Sequence, residues 1–166
     1  MSLDEINKAS LEQAYAVFES CCCAPNWIDG MINRRPFSDS NALLKASEKC
    51  FSPLTEKDYL IAFTGHPQIG DLKTLHEKYA NTSGTASNEQ AGMSMAEKGV
   101  LQEMVQLNKD YLQKFGFIFI VCASGKSATQ MLNLIKSRIG NERLQELNIA
   151  GHEQAKITQI RLEKLL

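Results

Sequence analysis

Only one stretch of this chain, "FIFIVCA" at 117–123, has the β-branched and aromatic run expected of a strand. A single strand without a partner makes no sheet. The stretch is therefore expected to be a buried extended connector. The rest of the 166-residue chain must build its core from helices.

The remainder carries that signature. Ser10 and Gln13 form a capping pair ahead of Ala14, Val17, Phe18, Cys21 and Cys22 at helical spacing. Trp27, Ile28, Met31 and Ile32 predict a short helix between Pro25 and Pro36, and Ser40 opens another with Leu43, Leu44 and Ser47 on one face. Thr55 is placed as the cap of a helix with Asp58 in its first turn, and Gly65 as its stop. Leu72, Leu75 and Tyr79 mark a further helical stretch, and Ser87 with Gln90 opens the next. Leu101, Met104, Tyr111, Leu112 and Phe115 lie on a long amphipathic face that ends at Gly116. Ser127 and Gln130 repeat the capping pattern, and from Asn141 the pattern stays helical almost to the end. The expected fold is all-α: one domain over 1–166, a bundle of about eight helices with one short buried extended segment at 117–123.

Charge and composition narrow the classes of function. Hydrophobic residues make up 43% and charged residues 22%, as in ordinary soluble domains. A net charge of −1 offers no broad attraction, so neither nucleic acid nor a membrane is expected as a partner. No signal-peptide pattern and no apolar run of about 18 residues is found, so no membrane span is expected. Five cysteines include the consecutive Cys21, Cys22 and Cys23, with no C-x-x-C pair. Adjacent helical residues point roughly 100° apart, a poor geometry for a shared metal. These are expected to be reduced, mostly buried thiols in a cytosolic protein.

Two motifs fail on inspection. "ASGKSAT" at 123–129 lacks the glycine that a phosphate-cradling loop needs five residues before Gly125, where Ile120 stands. Ser127 is better read as a helix cap. His76-Glu77 and His152-Glu153 each lack the second histidine of a zinc hydrolase, so no metal site is expected.

Three positions carry more chemistry, each beside a plainer reading. Proline biases His66 toward an extended conformation in a loop after a helix stop. An imidazole there either bonds a neighbouring helix end or enters a cleft as a proton-transfer group. In "SNEQ" at 87–90, Ser87 and Gln90 form a capping pair, and Glu89 either complements the helix dipole or projects toward a polar ligand. Arg161 lies among Ile157, Ile160, Leu162 and Leu165 and needs an anionic partner, from the protein or from a substrate.

Four stretches form a set: "HPQIGD" at 66–71, "SNEQAG" at 87–92, "FGFIFIVCASGKS" at 115–127 and "ITQIRLEKLL" near the end. In this order, across the whole chain, they resemble the 2-oxo-4-hydroxy-4-carboxy-5-ureidoimidazoline (OHCU) decarboxylase family, which acts in the oxidation of urate to allantoin. The resemblance implies an all-α fold, often a homodimer, that needs no metal or organic cofactor. It places the catalytic histidine on His66, with Pro67 beside the substrate, and the acidic partner on Glu89, followed by Gln90. It places the substrate-lining segment on Phe119, Ile120, Val121, Cys122 and Ala123, whose backbone groups are expected to bind the ring amides, and the C-terminal arginine on Arg161. Many members carry a serine three residues before the acidic group. This chain has Ala86 there and Ser87 one position later. Eukaryotic members can end in a peroxisomal S-K-L-like signal, whereas this chain ends Lys164-Leu165-Leu166, so a cytoplasmic enzyme is expected. Two rivals are a non-catalytic helical binding module, in which His66, Glu89 and Arg161 would lie far apart, and a nucleotide binder using Ser124–Ser127.

Overall fold

Capping chemistry sets where the helices begin. The computed structural model describes residues 1–68 and 95–166, and among the described residues it contains eight helices and no strand. They are α1 (Leu3–Lys8), α2 (Leu11–Glu19), α3 (Pro25–Ile32), α4 (Ser40–Phe51), α5 (Glu56–Thr64), α6 (Met95–Phe115), α7 (Ala128–Arg138) and α8 (Arg143–Leu165). The expected capping boxes close at Ser10 with Gln13, Thr55 with Asp58 and Ser127 with Gln130. Each satisfies backbone N–H groups that a helix start leaves orphaned. Residues 118–123 form neither helix nor sheet, as anticipated. Helix α4 opens at Ser40 as expected, with Asp39 as its cap, whereas helix α1, with its own Ser2–Glu5 capping box, was not foreseen. Aspartate accepts the first-turn N–H with a full negative charge, which the helix dipole favours.

The chain divides into two compact units. Unit 1 comprises Met1–His66, Ile120–Cys122 and Leu147–Leu166. Its core is the fully buried set Ile6, Phe18, Trp27, Ile28, Met31 and Leu43, joined by Leu162 of α8. Burying each such side chain contributes about 1.5–3 kcal/mol. Ring contacts run from α2 to the end of α5: Phe18 meets Trp27 edge-on at 6.0 Å, Trp27 meets Phe51 at 5.8 Å, Phe51 stacks on Tyr59 at 6.4 Å, and Tyr59 reaches Phe63 at 6.3 Å. That aromatic line holds the helix from which His66 emerges. The start of α5 is anchored too, because Asp58 accepts from the Thr55 N–H at 2.8 Å and from Asn26 Nδ2 at 2.7 Å. Helix α8 comes so close to α5 that a Cβ on Gly151 would lie 2.9 Å from Cε1 of Tyr59.

Unit 2 comprises Pro67–Phe119 and Ala123–Glu146, of which 69–94 lie outside the described residues. Helices α6 and α7 pack together there, and α6 stops where Gly116 adopts a positive φ of 77°, a conformation glycine takes without a Cβ penalty. Around Tyr111 gather Phe115 at 4.6 Å, Phe117 at 5.9 Å and Phe119 at 5.1 Å. Beside them lies a polar knot. The Tyr111 hydroxyl donates to Glu146 at 2.5 Å, Arg138 Nε donates to the same carboxylate at 2.6 Å, and Asn141 donates to its other oxygen at 2.9 Å. Burial and the Glu146 carboxylate push the Tyr111 phenol well above its usual pKa, so it stays a neutral donor.

Candidate active site

Helix α5 ends at Thr64, and the Gly65 cap has φ −73°, an ordinary right-handed value. Glycine is required there by space instead: a Cβ would lie 2.9 Å from the Cys23 sulfur. That thiol donates to the Ile61 carbonyl at 3.1 Å, satisfying one of the last carbonyls of α5. The next residue, half-buried His66, turns its ring toward α8, where Nε2 lies 2.6 Å from Oε1 of Gln154. Gln154 is completely buried, and its amide nitrogen donates to Oγ1 of the equally buried Thr158 at 3.1 Å. Burial pushes the pKa of the nearby Cys22 thiol up to about 11, so that thiol is neutral at physiological pH.

Arg161, half-buried, follows Thr158 on α8. Its Nη1 donates to the Cys21 carbonyl at 2.9 Å, just beyond the end of α2. Among the described residues no carboxylate pairs with it. Of the two sources of an anionic partner left open by the sequence, the described part of the protein offers a neutral backbone oxygen and no carboxylate. A carbonyl near a helix C-terminus carries enough partial negative charge to orient a guanidinium without neutralising it.

The extended segment contributes Ile120, Val121 and Cys122 to the same unit. Glu153 clamps it: one carboxylate oxygen accepts the Cys122 N–H at 2.7 Å, while the other accepts from Lys156 at 2.7 Å. The Cys122 amide is committed to a side chain of α8, which is how part of a lone extended segment satisfies its backbone without a sheet.

Unit 1 therefore assembles His66, Ile120, Val121, Cys122 and Arg161. Pro67, Phe119 and Ala123 belong to unit 2, where Pro67 and Phe119 line one depression with Gln68, Asn108, Leu112 and Ile118. Ala86, Ser87, Glu89 and Gln90 lie outside the described residues. The loop at 124–127 uses Ser127 to cap α7, as expected, and His152 is exposed on α8. Among the described residues no cluster of three or more metal-ligating side chains occurs. No helix among them is long and apolar enough to cross a membrane. Sequence reasoning missed Gln154, Thr158 and Glu153. The first two were detectable as polar residues on the stripe of α8 that also buries Leu147, Ala150 and Leu162.

Comparison with known proteins agrees with this architecture. The family model described as OHCU decarboxylase matches residues 7–163. A uric acid degradation bifunctional protein from Arabidopsis thaliana is 35% identical over 147 residues, covering 87% of this chain and 45% of that protein. The chain thus spans under half the length of that relative. An OHCU decarboxylase from Amia calva is 26% identical and is matched over 100% of this chain and 95% of its own length. A crystal structure of OHCU decarboxylase in the presence of (S)-allantoin superimposes with a TM-score of 0.72 at 32% identity, covering 95% of this chain and 98% of the other. With its motifs, its helical architecture and a family match over nearly its whole length in agreement, this chain belongs to the OHCU decarboxylase family.

Proposed function

We propose that this chain decarboxylates OHCU to (S)-allantoin, with residues 1–166 acting as one catalytic domain, as a homodimer in the cytoplasm. The observation that carries the reading is Arg161: a guanidinium aimed by a carbonyl and paired with no carboxylate among the described residues, on the helix that also holds His66 through Gln154. A cation kept in that condition suits a planar anionic ligand, which guanidinium grips bidentately.

The substrate supplies its own electron sink. When the bond to CO₂ breaks, the electron pair flows into the ring C=N beside that carbon and the ring nitrogen takes up a proton, so no external electron acceptor is needed. The 4-hydroxyl loses its proton as its carbon becomes a carbonyl, and the neighbouring carbon takes a proton on one face. His66 is the group that handles these protons, and Arg161 holds the carboxylate or ureido oxygens. Glu89 either binds the 4-hydroxyl or sets the charge of His66, since an adjacent carboxylate favours imidazolium. Pro67, Ala86, Ser87, Gln90 and Phe119 through Ala123 are the residues assigned to substrate binding in this reading.

The test generates the labile substrate in place from urate, with urate oxidase and hydroxyisourate hydrolase, and follows the circular dichroism of allantoin. Wild-type protein is expected to give a fast rise of one enantiomer's signal. His66→Ala is expected to lower the rate by roughly 10²–10⁴-fold, the usual contribution of an acid–base group. Activity within a few-fold of wild type in the variant removes His66 from the role. Background rates in every tube, with no enantiomeric excess, favour a non-catalytic binding module. Light scattering at working concentration checks the dimer.

A further inference from the structure

An extended segment outside any sheet has no ladder of backbone hydrogen bonds to fix its position, so other groups must do so. Residues 120–122 belong to unit 1 together with α8, and there the Cys122 N–H donates to one oxygen of the Glu153 carboxylate at 2.7 Å. A hydrogen bond to an ionised acceptor is shorter and stronger than one between neutral groups. The other oxygen accepts from Lys156 at 2.7 Å. The Lys156 side chain is 63% exposed and that of Glu153 only 15%, so the ion pair lies toward solvent while the carboxylate reaches inward to the backbone. An ion pair so exposed adds little by itself. The neighbouring Val121 is half-buried, and neither its N–H nor its C=O meets a partner among the described residues. Half-buried backbone groups in that condition are open to a ligand.

We propose that Glu153 is the positioning residue of the extended segment: by holding the Cys122 N–H it sets the Val121 N–H and C=O where they meet the amide groups of the substrate ring. This rests on the reading of 119–123 as a substrate-binding segment. In an extended chain successive amides face opposite sides. With the Cys122 N–H turned to Glu153 on α8, the Val121 groups are turned away from that helix. A backbone N–H and C=O on one residue match the C=O and N–H of a cyclic amide as a pair, as a neighbouring strand would.

Such a paired contact tolerates little error, because hydrogen bonds weaken steeply once they are stretched or bent. A segment free to slide would lose both bonds together. The placement on α8 adds a second consequence. Glu153 and Gln154 are consecutive, the first holding the segment and the second facing His66, and Arg161 lies about two turns further along the same helix. One rigid element thus sets the segment, the ring and the guanidinium.

The experiment has a spectroscopic arm and a kinetic arm. In protein labelled with ¹⁵N-cysteine, the Cys122 amide signal is assigned by its loss in Cys122→Ala. The expected result is an amide proton far downfield and slow to exchange with solvent; a fast-exchanging amide overturns the proposal, and this arm needs no variant at Glu153 to fold. In the kinetic arm, Glu153→Leu removes the acceptor and is expected to raise KM by roughly tenfold, the loss of about one good hydrogen bond, with kcat changed less. Glu153→Asp keeps the charge but shortens the reach by one methylene, and is expected to raise KM several-fold. Glu153→Gln gives up the ion pair with Lys156 but keeps an oxygen for the Cys122 N–H. It is expected to recover a KM close to that of wild type. A native KM in Glu153→Asp and in Glu153→Leu overturns the proposal, and the Asp variant decides alone if the Leu variant does not fold. If Glu153→Gln is no better than Glu153→Asp, the ion pair and not the backbone tether is at work, and the assignment fails. The two readings fail separately: a wild type that leaves allantoin formation at the background rate removes the decarboxylase reading and the tether's role with it, whereas an active wild type beside native KM values in the Glu153 variants removes only the assignment to Glu153.

Discussion

Two arginines, one in each unit, are in opposite electrostatic situations. Arg138 in unit 2 is buried, ion-paired to Glu146, within reach of the Tyr111 hydroxyl, and covered by the Phe119 ring 4.6 Å from its guanidinium carbon. Arg161 in unit 1 is half-buried and held by one backbone carbonyl. The first charge is neutralised inside the protein and organises a core. The second is oriented but not neutralised, and remains able to meet an external anion. Burial alone would have ranked Arg138 as the more interesting residue, so what separates structure from function here is whether the charge already has its counter-charge.

Three substitutions sharpen that contrast. Glu146→Leu leaves Arg138 buried without its carboxylate, and the expected loss is about 3–5 kcal/mol, read from denaturant unfolding. A loss below about 1 kcal/mol would mean that Arg138 is solvated more easily than its burial indicates. Gly151→Ala pushes a methyl into the Tyr59 ring where α8 meets α5. The expected cost is about 1–3 kcal/mol, with a fall in melting temperature. Unchanged stability would show that Tyr59 yields freely and that α8 is less tightly set against α5. Arg161→Leu is the mildest for the fold, removing one hydrogen bond worth about 0.5–1.5 kcal/mol. Its expected effect is on substrate, as a raised KM with a near-native melting curve. The reverse pattern, native KM and a large stability loss, would place Arg161 beside Arg138 as a structural residue.

How far the sequence could be read follows from the range of the interactions. Capping boxes join residues three apart, so Ser10, Thr55 and Ser127 could be recognised directly. The lone strand-like segment announced that it would form no sheet, because the sequence offers nothing for it to pair with. Its actual tether, Glu153 on the Cys122 N–H, joins two places with no local signature. The same holds for Arg161. Its need for a partner was visible in its apolar neighbourhood, but a backbone carbonyl far back in the chain carries no residue type to search for. Gln154 and Thr158 are intermediate. Their spacing put them on the buried stripe of α8, and two polar residues there, four apart, marked an internal network whose far end only the fold identifies.

The three consecutive cysteines bring these threads together. Within three residues, the Cys21 carbonyl holds Arg161 and the Cys23 thiol caps the end of α5 from which His66 extends. Both working groups are therefore surveyed from one benchmark. A small drift of that segment carries the imidazole and the guanidinium in the same direction, so positional error is shared rather than accumulated between them. Alignment at the site then depends less on the rigidity of the whole molecule than on one short stretch of chain, through a carbonyl and a thiol, keeping its place.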